Sequence, residues 1–339
     1  MSKNIDAVTV SIPDHNHATV AATSLRLGKH TFCQKPLTHT ISEARMLGEL
    51  AREMKVATEM GNQGTANSGL REAAAIVQGG HLGNVTEVHV WTNRPIWAQG
   101  GERPKEEPVP KNLHWEEWIG PAPYRPYAKG YHPFAWRGWW DFGTGALGDM
   151  ACHTYNMPFA ALNLRDPVSV EAQSAGTNKD SYPKWSQIVY EFPANDKRGP
   201  VKVTWYDGGK KPPVELVGLK PGEKLDQSGS LLIGDKGKIY SPGDYCDQFR
   251  TIGFEKPKVE FTKSPGHFEE WVRAIKGGPQ AMSNFHDYAG PLTETILLGN
   301  LAVWATGKKV EWDAKNMVPK NAPECEPIVR IQYRSGYTL

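Results

Sequence analysis

No stretch of the 339-residue chain approaches the ~18 consecutive apolar residues of a membrane-crossing helix, so no membrane span is expected. Basic blocks are also lacking. The count of 39 Lys+Arg against 37 Asp+Glu leaves a net charge of +2, which argues against nucleic acid as a partner. The four cysteines, Cys33, Cys152, Cys246 and Cys325, lie far apart in no zinc-ligand spacing. Free buried thiols are expected, without a disulfide framework or a metal site. From Met1 to Val8 no charged segment leads into a long apolar one, so no secretory leader is read there. Cytoplasm is the default compartment, with periplasm or export left open by where the chain begins. Internal repeats and low-complexity tracts are absent as well. What is present, 39% hydrophobic and 22% charged residues, is ordinary for a globular protein long enough for about two domains.

The opening segment reads as β-α-β-α-β. A buried strand, Ala7 to Ile12, is halted by Pro13, and a helix from Ala18 to Leu27 stops at Gly28. A short strand, Thr31 to Cys33, ends at Gln34-Lys35-Pro36. Thr40 and Glu43 are spaced as a capping box for a second helix, and Val56 to Met60 form a third strand. This is half of a doubly wound sheet. From Ser68 the texture changes to a helix (about 69–78), a strand around Val88 and Val90, and a Pro- and Trp-rich excursion over roughly 94–140. Strands follow near 168–175, 186–192 and 200–206, the last two joined by a hairpin at Asn195 to Gly199. Further strands are expected around 230–240 and 257–262, then helices over about 266–276 and 290–306. The pattern suggests an α+β second domain. The expected units are residues 1–63, 64–310 and a tail, 311–339.

Two elements carry chemistry. Lys35 follows the carboxyl end of a parallel strand, the end that faces the ligand crevice in open α/β sheets. Further on, Gly143-Thr144-Gly145-Ala146-Leu147-Gly148-Asp149 leads to His153. With a helix starting near Asp149, Asp149 and His153 share one face at i and i+4. Imidazole has a pKa suited to taking a hydroxyl proton, with a carboxylate beside it to orient substrate or ring. Gly143-x-Gly145-x-x-Gly148 satisfies the dinucleotide fingerprint literally, but no buried strand precedes it, so it is set aside as a phosphate loop. Asp14-His15-Asn16-His17 suits a helix start better than a metal tract. The chain has 12 tryptophans, several of them between 91 and 140; these either fill cores or stack on sugar rings.

Together these residues resemble one family, the glucose-fructose oxidoreductase / inositol dehydrogenase / MocA-like (Gfo/Idh/MocA) oxidoreductases. Ile5 to Val8, Ser11-Ile12-Pro13-Asp14-His15-Asn16-His17, Gly28-Lys29-His30, Gln34-Lys35-Pro36 and Gly148-Asp149-x-x-x-His153 occur in the family's order. The fold class implied is α/β: a partial Rossmann domain, its second half only, followed by an α+β domain with a large open, mostly antiparallel sheet. The resemblance implies NAD or NADP as cofactor and hydride transfer from a sugar, polyol or glycoside hydroxyl. Lys35 resembles the lysine that hydrogen-bonds the reacting oxygen, His153 the proton acceptor, and Asp149 the carboxylate that binds a neighbouring hydroxyl. Pro13, His17 and Asn62 fall, with Lys35, where the family lines the cofactor. Arg137, Trp139 and Trp140 are expected in the substrate cleft, and the open sheet implies a homo-oligomer.

Two departures stand out. Gln34 replaces the usual glutamate and leaves Lys35 without that carboxylate partner. The glycine-rich pyrophosphate turn and the residue that selects NAD or NADP do not precede Ile5, a difference of roughly 60–70 residues. In the 3-2-1-4-5-6 order the first strand then becomes a bare edge exposing Val8 and Val10, and association or poor solubility is expected. This reads as an N-terminal truncation that leaves the chain's own activity in question. The alternatives are a non-catalytic carbohydrate-binding or oligomer-forming module, and redox-assisted glycoside cleavage or epimerisation.

Overall fold

The computed structural model describes residues 4–219 and 222–339. Met1 to Lys3, where the leader would begin, lie outside them. Three parallel strands, β1 (Ala7–Val10), β2 (His30–Cys33) and β3 (Thr58–Met60), are ordered β1-β2-β3 and joined by helices Asp14–Arg26 and Ile41–Met54. The second helix starts where its cap is spaced, with Glu43 Oε2 accepting from the Thr40 backbone N–H at 2.8 Å. The first helix starts at Asp14, four residues earlier than the apolar period suggests. The whole Asp14-to-His17 tract is thus its opening turn, with the acidic Asp14 at the positive end of the dipole. Among the described residues no His, Cys, Asp and Glu group of three or more is placed to hold a metal.

Among the described strands β1 pairs only with β2, as the edge. The expectation that Val8 and Val10 lie bare is corrected. Val10 is 1% exposed and packs in the core with Ala21 and Leu25, Val8 is half-buried against that core, and Thr9 is the exposed residue. The helix beside β1 covers that face.

A nine-stranded sheet follows: β4 (Val85–Trp91), β5 (Ser169–Ser174), β6 (Ser186–Phe192), β7 (Val201–Tyr206), β8 (Gly229–Gly234), β9 (Gly237–Pro242), β10 (Arg250–Ile252), β11 (Val310–Asp313) and β12 (Val318–Pro319). Their order is β10-β9-β8-β4-β7-β6-β5-β11-β12, antiparallel at each described pairing except β4 with β7. The run expected over 230–240 is a hairpin, β8 and β9. The strand expected over 257–262 is absent. Val259 and Phe261 alternate as a strand would, but no ladder partner reaches them, and Val259 packs on the core as extended chain. β11 and β12, read from sequence as tail, extend the sheet beside β5.

Helix Gly290–Ala305 is the spine of the second unit, with nearly every residue buried between the sheet and helix Ile41–Met54. Such a helix needs a close approach to its neighbours, and Gly299 provides it. A Cβ there would stand 2.1 Å from the Tyr190 hydroxyl oxygen and 2.6 Å from Leu147 Cδ2. The excursion from 94 to 140 is largely irregular and builds a small aromatic core of its own around Trp115, Tyr131, Trp139 and Phe142.

Candidate active site

The carboxyl ends of β1 to β3 face helix Gly145–Thr154, which begins four residues before Asp149. Gly145, at φ +66°, makes the sharp entry, and Asn300 Nδ2 donates to the Thr144 carbonyl at 2.9 Å. Asp149 therefore lies in the second turn, with His153 one turn further on the same face. Three side chains of the first unit hold the strip before this helix. His15 Nδ1 lies 3.1 Å from the Phe142 carbonyl, His39 Nε2 lies 3.0 Å from that of Gly143, and Thr144 Oγ1 donates to Asp14 Oδ2 at 2.7 Å.

Lys35 crosses to this helix. Its ammonium donates to Asp149 Oδ1 at 2.7 Å and to the Asp149 carbonyl at 2.6 Å. Lys35 has no carboxylate from residue 34, as expected, and takes Asp149 as its partner. Gln34 instead lies along Gly61, where a Cβ would come within 2.4 Å of its Oε1. Burial works to raise the Asp149 pKa, but Lys35 and then Arg137 outweigh it, and the net shift is downward, to a stable carboxylate. His153 is pushed down to about 3, by burial first and by the Lys35 charge second. Its Nδ1 is buried without a hydrogen-bond partner, and its ring meets Tyr245 edge-on at 4.9 Å.

A cleft of about 520 Å³ opens over this pair. Pro13, Lys35, Arg137 and Asp149 line it together, with Trp118, Phe134 and Trp136 as its aromatic wall. His153 sits buried one turn away and is not part of that wall. His17 does not face the cleft either: its ring bridges the Pro36 carbonyl (2.8 Å) and the Ile12 carbonyl (2.7 Å), tying the ends of β2 and β1 together. Asn62 is fully buried after β3. Its Oδ1 accepts from Ser283 Oγ, and its Nδ2 has no partner. Trp139 and Trp140 are not brought to the cleft. Trp139 fills the small aromatic core, and Trp140 stacks on Tyr182 at 3.8 Å beside a separate pocket of about 470 Å³. Sequence reasoning missed Trp136, next to Arg137, and Trp118. The turn Ala135–Gly138 puts Trp136 beside the guanidinium, whereas nothing local to Trp118 signals its place.

Of the residues expected beside the nicotinamide end of a dinucleotide, Lys35 and Asn62 carry donors and Pro13 carries none. Pro13, Lys35 and Asn62 stand at the carboxyl ends of three parallel strands, and the Asn62 amide has an orphaned donor. Gly143-x-Gly145-x-x-Gly148 does not supply a phosphate cradle. A Cβ at Gly143 would meet the Arg137 backbone at 2.5 Å, one at Gly145 the Tyr182 ring at 2.8 Å, and one at Gly148 the Thr144 hydroxyl at 2.1 Å. Protein already fills the space those glycines open.

Family models match both parts of the chain: the oxidoreductase family's NAD-binding Rossmann fold over residues 1–62, and its C-terminal alpha/beta domain over 68–339. The chain belongs to the Gfo/Idh/MocA oxidoreductase family. Among curated relatives, an uncharacterized oxidoreductase of Schizosaccharomyces pombe is 32% identical over 109 residues, 32% of this chain and 30% of that one. The levoglucosan dehydrogenase of Pseudarthrobacter phenanthrenivorans is 22% identical over 167 residues, 47% of this chain and 35% of the relative. The matches thus span about a third of these relatives' own length. Among solved structures, the WlbA dehydrogenase of Bordetella pertussis, in complex with NADH and UDP-GlcNAcA, superposes with a TM-score of 0.61 at 16% identity, covering 91% of this chain and 80% of that one. An inositol dehydrogenase homolog of Azotobacter vinelandii, with NADH and myo-inositol, gives 0.54 at 16% identity over 92% and 79%. At such identities the likeness establishes the Gfo/Idh/MocA fold.

The buried histidines make a prediction. His15, 3% exposed, is also held near a pKa of about 3, chiefly by burial. The unfolded chain takes up these protons below the ordinary histidine pKa near 6.5, while the folded one does not until about pH 3. Their contribution to stability is complete above pH 6.5 and is lost as pH falls from there toward 3. Each should cost about 2 kcal/mol by pH 5. Urea unfolding at neutral pH and at about pH 5 should show a drop that is smaller in His15→Gln by about that amount. Equal drops in the two proteins would contradict the neutral buried imidazole.

Proposed function

We propose that this chain belongs to an NAD(P)-dependent oxidoreductase that removes a hydride and a proton from a hydroxyl-bearing carbon of a sugar or polyol. The observation that carries the reading is the Lys35–Asp149 pair at the floor of a cleft walled by Trp118 and Trp136. The bound dinucleotide would supply the two-electron acceptor for the hydride. All other roles fall to the chain's own side chains.

An ammonium has three donors. Two of those on Lys35 are spent on Asp149, which fixes the third for the reacting oxygen and favours the negative charge that develops there. Asp149, kept ionised by Lys35 and Arg137, has its second oxygen to accept from a neighbouring hydroxyl. We assign the proton acceptor to His153, whose neutral imidazole lies buried one turn from Asp149, behind the cleft wall. Its low pKa makes it a weak base toward an alcohol, but the proton grows strongly acidic as the hydride leaves the same carbon. Pro13 and Asn62 border the nicotinamide side, while the roles read for His17, Trp139 and Trp140 become structural. The aromatic wall stacks on the apolar face of a sugar ring. The open face of the nine-stranded sheet is the surface on which we place a homo-oligomer, and a monomer by light scattering would remove that part of the reading.

Lys35→Met and His153→Ala should each lower kcat/KM about a hundredfold or more for the best substrate of a sugar and polyol panel. The readout is net reduction of NAD or NADP, which also separates oxidation from redox-neutral glycoside cleavage. Rates within tenfold of the parent in both variants would overturn the assignment of roles.

A further inference from the structure

We infer that Arg137 selects a substrate bearing a carboxylate, a sugar acid or polyol acid seated with its acid group against the guanidinium. The inference rests on the sugar-oxidising reading above and names its substrate class.

The first support is the bed on which Arg137 lies. Its guanidinium carbon is 4.3 Å from the centre of the Trp136 ring and 5.0 Å from that of Phe134, both in the cleft wall. Two aromatic rings hold the side chain in position and partly dehydrate it, which strengthens its pull on an anion. The second support is how little of its bonding capacity the protein uses. Nε stands 3.4 Å from Asp149 Oδ1, and Nη1 stands 3.3 Å from the Phe134 carbonyl. Lys35 reaches the same Asp149 oxygen at 2.7 Å, so the carboxylate already has its close cation. Arg137 is then a second cation beside one anion.

The other carboxylate that lines the cleft is committed elsewhere: Asp14 Oδ2 accepts from Thr144 Oγ1 at 2.7 Å. A guanidinium presents parallel N–H groups that a carboxylate matches with two bonds, whereas a hydroxyl satisfies one. The planar donors that the protein leaves underused on Arg137 therefore fit an acid on the sugar better than another hydroxyl.

The test is calorimetric titration of matched pairs into the full chain at constant ionic strength: glucose with glucuronate, and galactose with galacturonate. Glucose 6-phosphate serves as the phosphate arm. The expected result is that at least one uronate binds ten times or more tighter than its neutral partner. In Arg137→Gln that ratio should collapse toward one, and in Arg137→Lys, which keeps the charge but loses the fork, it should fall part-way. Thermal unfolding of both variants checks that they fold, and the lysine variant reads the effect if the glutamine one does not. Equal affinities within both pairs, or a preference that survives Arg137→Gln, overturn the inference alone. A stronger preference for the phosphosugar overturns the carboxylate assignment. Binding of none of these compounds at millimolar concentration overturns the sugar reading and this inference with it.

Discussion

The ion pair between Lys35 and Asp149 joins two parts of the chain 114 residues apart, and the cleft exists because they are joined there. Lys35 follows a strand of the parallel sheet, while Asp149 rides a helix packed on the spine of the second unit. Neither charge is freely solvated: their side chains are 19% and 13% exposed. A pair so placed costs desolvation, and losing one partner leaves the other charged in a poor solvent. The bonds around it keep both partners in register. His17 ties the ends of β1 and β2, and Asp14, His15 and His39 all engage the strip from Phe142 to Thr144. That strip opens the glycine pattern, Gly143-x-Gly145-x-x-Gly148, that imitates a nucleotide loop. Its glycines are required because backbone and rings press on it from every side.

This arrangement explains why one part of the site was legible in the sequence and another was not. Lys35 could be placed because a strand's end is local information: the apolar run stops, Pro36 follows, and parallel sheets present that end to ligands. Asp149 and His153 could be paired because four residues is one helical turn. The start of their helix was misplaced by four residues, since the entry depends on Gly145 and on Asn300, 155 residues further along, capping the Thr144 carbonyl. Trp139 and Trp140 looked like cleft residues by proximity in sequence to Arg137. A short 3₁₀ turn at Ala135–Gly138 turns Trp136 to the cleft and sends the next two tryptophans into separate aromatic clusters. Trp118 comes from the short helix Trp115–Ile119, and only tertiary packing reveals its place in the cleft. The 257–262 segment failed for a related reason, because alternation describes a face and cannot supply a neighbouring strand.

The electrostatics of the site follow from the same packing. Burial keeps His153 and His15 neutral, keeps Asp14 from ionising easily, and would do the same to Asp149 without its two cations. The result is a carboxylate and an ammonium locked together, a neutral imidazole one turn away, and a stacked guanidinium at the wall. Hydride removal needs a donor at the oxygen, a nearby proton acceptor and a fixed ring. In the proposed reaction these groups would supply the donor and the proton acceptor.

The central claim is that Lys35 and Asp149 act as one unit, and a double-mutant cycle on unfolding free energy tests it most directly. Lys35→Met, Asp149→Asn and the double variant would be unfolded in urea beside the parent at neutral pH. The account predicts that the double variant is less destabilised than the sum of the singles, with a coupling of about 1–3 kcal/mol. Strictly additive losses would mean that the two charges fold independently, and the account of the cleft would fail with them.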